Sequence, residues 1–167
     1  MGSLGRVTTH TLDNGLSIAV LPVRRLPLVA VHLQVDVGSA HEGPREHGAA
    51  HLLEHMLFKG TPRRGLAVAA TTIEGLGGDL NAWTSLEETV LHATVGAEGL
   101  ATTVDILADM ARHALLDPQE LERERAVVLE ELRGYESDGD TVLEEAGLAG
   151  LYGDHPYGRP ILGRSSE

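Results

Sequence analysis

Residues 46–60 read Glu46-His47-Gly48-Ala49-Ala50-His51-Leu52-Leu53-Glu54-His55-Met56-Leu57-Phe58-Lys59-Gly60, and their periodicity decides how the rest of the chain is parsed. Ala49, Leu52, Leu53, Met56 and Leu57 recur at intervals of three and four. That spacing predicts a helix over 46–58, ended by Gly60 and Pro62, with these residues on its packed face. Upstream the pattern changes to that of strands. Segments 6–12 and 16–21 flank Asp13-Asn14-Gly15, where Asn-Gly supplies the left-handed residues of a tight hairpin, and 28–37 reads as a third strand. Downstream, 66–76 reads as a short helix broken by Gly77-Gly78, before a strand pair over 80–84 and 89–95. Longer helices are predicted over 97–115 and 118–135, the second with Asp117 as cap and Pro118 in its first turn. A polar break at 137–140 precedes another helix over 142–151. The mixture predicts an α+β fold, a largely antiparallel sheet covered by helices. Residues 1–167 are read as one domain that stops inside a larger one, because 153–167 is rich in Gly, Pro and charge and ends without a terminating element.

Composition narrows the function. With 42% apolar residues the chain can bury a core, and 25 acidic against 13 basic residues give a net charge of -12. Such a charge repels a phosphate backbone, so nucleic acid is not an expected partner. The absence of cysteine excludes disulfides and thiolate metal sites, leaving His and carboxylates as the possible ligands. No apolar run approaches the ~18 residues that cross a bilayer, so no membrane is expected and a soluble, cytoplasmic chain is favoured over a periplasmic or secreted one. Lys59 is the only lysine beside twelve arginines, which we read as genome base composition.

The chemistry centres on the same helix. His51 and His55 lie four residues apart, about 40° around a helix and one turn along it, which suits two ligands of one metal. Glu54 sits to one side, where its carboxylate can reach a water at the metal and act as general base. Chance alone gives this five-residue pattern in about one such chain in twenty, so the motif needs a second observation. Glu124 and Glu131 supply it. Seven residues apart, they share a face of the 118–135 helix with Leu121, Val127 and Val128, while Glu122, Arg123, Glu130 and Arg133 fall on the solvated side. Carboxylates drawn inward need a partner: a metal held by the histidines, or alternatively interior arginines or a helix boundary.

These residues, with Leu12-Asp13-Asn14-Gly15-Leu16, Gly48 to Thr61, Asn81-Ala82-Trp83-Thr84-Ser85, Glu122 to Leu132 and His155-Pro156-Tyr157-Gly158, resemble the N-terminal part of the pitrilysin/insulinase family of inverted-motif zinc metallopeptidases. That family includes the mitochondrial processing peptidase β-subunits. The resemblance implies zinc as cofactor, His51, His55 and Glu131 as its ligands, Glu54 as catalytic base, and Glu124 as a carboxylate supporting a ligand. It also implies that Asn81 and Ala82 contact the backbone of a peptide or unfolded-protein substrate by edge-strand pairing. Trp83 stands where the family often has another aromatic and His47 where another polar residue is common. The family's peptidases are longer, and a second related half contributes an Arg and a Tyr to the site. The expected function is therefore a zinc metalloendopeptidase acting on extended peptides, with the fragment by itself expected to bind zinc yet cleave very poorly. The rivals are a noncatalytic peptide-binding or scaffold subunit of the same family, and a structural zinc domain, whose site would fill all four positions with Cys or His.

Overall fold

The computed structural model describes residues 5–164; the ends of the expected 1–167 domain, residues 1–4 and 165–167, lie outside the described residues. Strands β1 (Thr8–Thr11) and β2 (Ser17–Val20) form an antiparallel hairpin in the register Thr8↔Val20. Gly15 turns it at φ +89°, and Asn14 Oδ1 accepts from the Leu16 N–H at 3.1 Å, as an Asn-Gly turn requires. Strands β3 (Leu28–Val35), β4 (Asp79–Thr84) and β5 (Thr89–Gly96) make a separate antiparallel sheet in the order β3-β5-β4, which leaves β4 at an edge.

Alternation along these strands builds the core. Val29, Val31 and Leu33 of β3 and Leu80 and Ala82 of β4 share a face with the buried Leu91, Ala93 and Val95 of β5. Helices α1 (Ala49–Leu57), α2 (Val68–Gly75) and α3 (Leu100–His113) pack against the sheet, and Ile73, Ile106, Leu107 and Met110 close the core. Each such side chain removed from water contributes about 1.5–3 kcal/mol before entropy is charged. Helices α4 (Pro118–Ser137) and α5 (Gly139–Tyr152) follow; α4 packs on α1 and on α5. The expected α+β architecture with an antiparallel sheet is the one observed. No helix among the described residues is long and apolar enough to cross a membrane.

Several boundaries differ from expectation. The first helix begins at Ala49 instead of residue 46, because Gly48 sits at φ +84° and a Cβ there would lie 2.4 Å from the Leu162 carbonyl oxygen. Its free N–H groups are satisfied from a distance: Glu42 accepts from Gly48 at 3.0 Å and Ala50 at 2.8 Å. Residues 97–99 form a tight turn before α3. The break at 137–140 shrinks to Asp138, whose N–H closes α4 on Tyr135 and whose carboxylate caps α5 through Thr141 at 2.9 Å. In the tail, Pro156–Gly158 forms a short helical turn against α5.

Two expected faces are also corrected. In α1, Met56 is buried and Leu52 and Leu57 are half-buried, but Ala49 and Leu53 are exposed. The helix is covered by β4 and by α4, so the side bearing His51 is itself enclosed and Leu53 is left on the open side. In α4, Glu124, Val128 and Leu132 are buried, whereas Leu121 and Val127 are exposed and Glu131 is only partly covered.

Candidate metal centre

Two helices far apart in sequence converge at this site. From α1 come His51, Glu54 and His55; from α4, Glu124 and Glu131. One ligand atom from each of His51, His55 and Glu131 lies within 4.8 Å of the others, and this is the one cluster of three or more potential metal-ligating residues among the described residues. His55 Nε2 is 3.6 Å from Glu131 Oε2. Two ligands of a tetrahedral zinc, each about 2.0–2.1 Å from the ion, stand roughly 3.3 Å apart, close to the His55–Glu131 separation. The imidazoles of His51 and His55 meet edge to face with centroids 4.7 Å apart.

The electrostatics favour ligation as well. His51 is buried, and its Nδ1 finds no hydrogen-bond partner within the protein. Burial, followed by repulsion from His55, lowers its pKa below the ordinary imidazole value, which keeps the ring neutral and its lone pair available. Glu124 is the more buried of the two carboxylates. Burial alone would raise its pKa, but hydrogen bonds from Lys59 and His55 outweigh this and hold it below the ordinary value. Its Oε2 lies 3.1 Å from His55 Nδ1. An ionised carboxylate can only accept, so Nδ1 carries a proton, while Nε2 faces Glu131.

Glu54 does not join the ligand cluster. Its Oε2 accepts a 2.6 Å hydrogen bond from Thr84 Oγ1 on β4. Thr84 falls on the same face of the strand as Leu80 and Ala82, so the sheet itself fixes the carboxylate. Asn81 and Ala82 lie on edge strand β4, with the Ala82 N–H bonded to Asn81 Oδ1 at 2.9 Å.

Two residues of the site were not singled out from the sequence. Thr84 stands inside the quoted 81–85 segment, where its parity with Ala82 is the available signal. Lys59, set aside above as base composition, places its Nζ 2.5 Å from Glu124 Oε1.

The chain matches the family model described as "Insulinase (Peptidase family M16)" over residues 24–165. It is similar to an "Uncharacterized zinc protease" of Mycobacterium tuberculosis, with 40% identity over 157 residues that cover 94% of this chain and 36% of the relative. To the "Probable mitochondrial-processing peptidase subunit beta, mitochondrial" of Arabidopsis thaliana it is 39% identical, over 95% of this chain and 29% of that protein. Among solved structures, a protease from Helicobacter pylori superposes with a TM-score of 0.92 at 27% identity, covering 98% of this chain and 40% of the other. The chain thus spans 36% of the length of the mycobacterial relative and 29% of the plant one.

Proposed function

The chain belongs to the insulinase family of peptidases, and from that premise we propose that it is the zinc-binding domain of a metalloendopeptidase that hydrolyses extended peptides. The observation that carries this reading is the convergence of His51, His55 and Glu131 beside an uncoordinated carboxylate, Glu54. His51, His55 and Glu131 would hold zinc, which, when bound, supplies Lewis acidity that lowers the pKa of water and polarises a carbonyl.

The chain's own groups do the rest. Thr84 occupies Oε2 of Glu54, leaving Oε1 to take the proton from the attacking water and later return it to the leaving amine. Glu124 keeps the proton of His55 on Nδ1, so that the ring cannot swap tautomers and lose its ligand atom. Edge strand β4, through Asn81 and Ala82, would pair with the substrate backbone and select extended over folded chains. A single domain continued by further sequence, with a second family-like half completing the site, accords with the share of the relatives' length that this chain covers.

The test is zinc-dependent cleavage of a quenched extended peptide, run on this chain alone and on the chain joined to the rest of its protein. Binding of zinc with poor cleavage alone, and cleavage restored by the remainder, is the expected result. Comparable rates would refute the need for a second half. Peptide binding without cleavage in both would favour the noncatalytic subunit.

A further inference from the structure

The sheet carries a second constellation, on the face turned away from the core. Side chains alternate along β5, so Leu91 and Ala93 enter the core while His92 between them lies on the opposite face. His32 of β3 is the cross-strand partner of His92, and the two rings stand 5.4 Å apart between centroids, tilted by 27°. Trp83 of β4, the only tryptophan of the chain, closes a third side: its ring is 5.0 Å from His92 and 5.8 Å from His32. His32 is exposed and His92 half-buried, so solvent reaches the pair.

Ring contacts of this kind steady a sheet whatever else the residues do. Two features go further. The first is spacing. Cross-strand partners hold their Cβ atoms about 4.5–5.5 Å apart on a rigid scaffold. Two imidazole nitrogens, each about 2.0–2.1 Å from a shared ion, place their ring centres about 4.5–5 Å apart, close to the separation of His32 and His92. The second is charge. Beside the two histidines this face of β3, β4 and β5 carries Ala30, Gln34, Asp79, Asn81 and Thr94, with no lysine or arginine, in a chain of net charge -12. A cation approaching the pair meets no like charge on these strands.

We propose that His32 and His92 form a second metal site, a two-imidazole site on the open face of the sheet that takes a divalent transition ion, with Cu(II) bound most tightly. For given donors, affinity rises along the late first-row ions to Cu(II) and falls again at Zn(II). Two nitrogens with water in the remaining positions also suit the tetragonal geometry of Cu(II). Among the described residues only the α1–α4 cluster brings three potential ligands together, so the sheet site is the weaker of the two for zinc. An ion there links β3 to β5 and has no part in hydrolysis. The site shares no residue with His51, His55 and Glu131, and the inference does not depend on their holding zinc.

Trp83 is the reporter, since Cu(II) quenches an indole held against its ligands. Copper is titrated into wild type, His32→Gln, His92→Gln and the double variant His51→Gln/His55→Gln, with Trp83 emission followed and circular dichroism verifying the fold of each. Quenching should saturate at the same midpoint in wild type and in His51→Gln/His55→Gln. Losing a direct ligand costs no less than losing a group that supports one, so His32→Gln and His92→Gln should each raise the midpoint at least about 10-fold. Electron paramagnetic resonance of His51→Gln/His55→Gln with one equivalent of copper should show coupling to two imidazole nitrogens, reduced to one when His32→Gln is added. If His51→Gln/His55→Gln does not fold, the wild-type titration beside the exposed-site variant His32→Gln carries the test. A midpoint unchanged by His32→Gln and His92→Gln overturns the proposal. So does quenching that disappears in His51→Gln/His55→Gln, which would place the copper at α1.

Discussion

Stripping zinc from the folded chain should loosen α4 before it loosens anything else. Among its twenty residues α4 buries only Glu124, Val128 and Leu132, so it is lightly anchored for its length. A metal shared by His51, His55 and Glu131 would cross-link it to α1, which lies more than sixty residues earlier in the chain. The added stability follows from mass action. At free zinc about 1,000-fold above the dissociation constant, a ligand that binds only the folded state adds about 4 kcal/mol. For a chain of this size each kcal/mol moves the melting temperature by about 2–4 °C, so the holo and apo forms should differ by about 8–16 °C. Differential scanning calorimetry with zinc or with a chelator measures that difference. Hydrogen exchange locates it: the amides of α4 after Pro118 should lose protection first, while β5 and α3 keep theirs. Identical melting temperatures, or protection lost evenly across the sheet, would refute the cross-link.

Three further outcomes are expected. Glu54→Gln should retain zinc by atomic absorption yet abolish hydrolysis in whichever assembly is active, since it removes the base and none of the ligands; loss of the metal would place Glu54 among them. Thr84→Val, nearly isosteric, removes a hydrogen bond to a charged group worth about 1.5–3 kcal/mol, so kcat should fall about 10- to 100-fold with zinc content unchanged, and an unaltered kcat would show that Glu54 needs no such anchor. Asp109, a buried residue of α3, accepts from Thr61 at 2.7 Å and also from Arg64 and His113, and the Thr61 hydrogen bond is the largest cause of its lowered pKa. A depressed folded-state pKa stabilises above the ordinary aspartate value of 3.8 and is lost as pH falls through the depressed one. The melting temperature of Asp109→Asn should therefore be lower than wild type at neutral pH and fall less steeply in acid, and parallel acid limbs would contradict this.

What the sequence could reveal followed from local rules. Asn14-Gly15 marks the hairpin, Asp117-Pro118 marks the start of α4, and the β4–β5 boundaries are close to those read from strand patterning. Contacts made at a distance were not legible. The start of α1 depends on Glu42 reaching forward to Gly48 and Ala50, and on a close approach between Gly48 and residue 162. Helical phase placed Glu124 and Glu131 on one side of α4, but it could not reveal that the two differ in depth. Nor could it show that α1 is covered on two sides, which leaves Leu53 outside. Lys59 and Thr84 enter the site only through the packing of α4 and β4 against α1, 65 and 30 residues from their respective hydrogen-bond partners.

The central claim is that His51, His55 and Glu131 together hold one zinc ion. Its most direct measurement is a zinc titration of the chain beside two single variants of adjacent residues, Glu131→Gln and Glu130→Gln. Glu130 faces solvent and pairs with Arg133 at 2.7 Å, whereas Glu131 turns toward His55. The account predicts one zinc per chain, affinity unchanged in Glu130→Gln, and a large loss in Glu131→Gln, where a neutral amide replaces a charged ligand. Equal affinities in the two variants would contradict it.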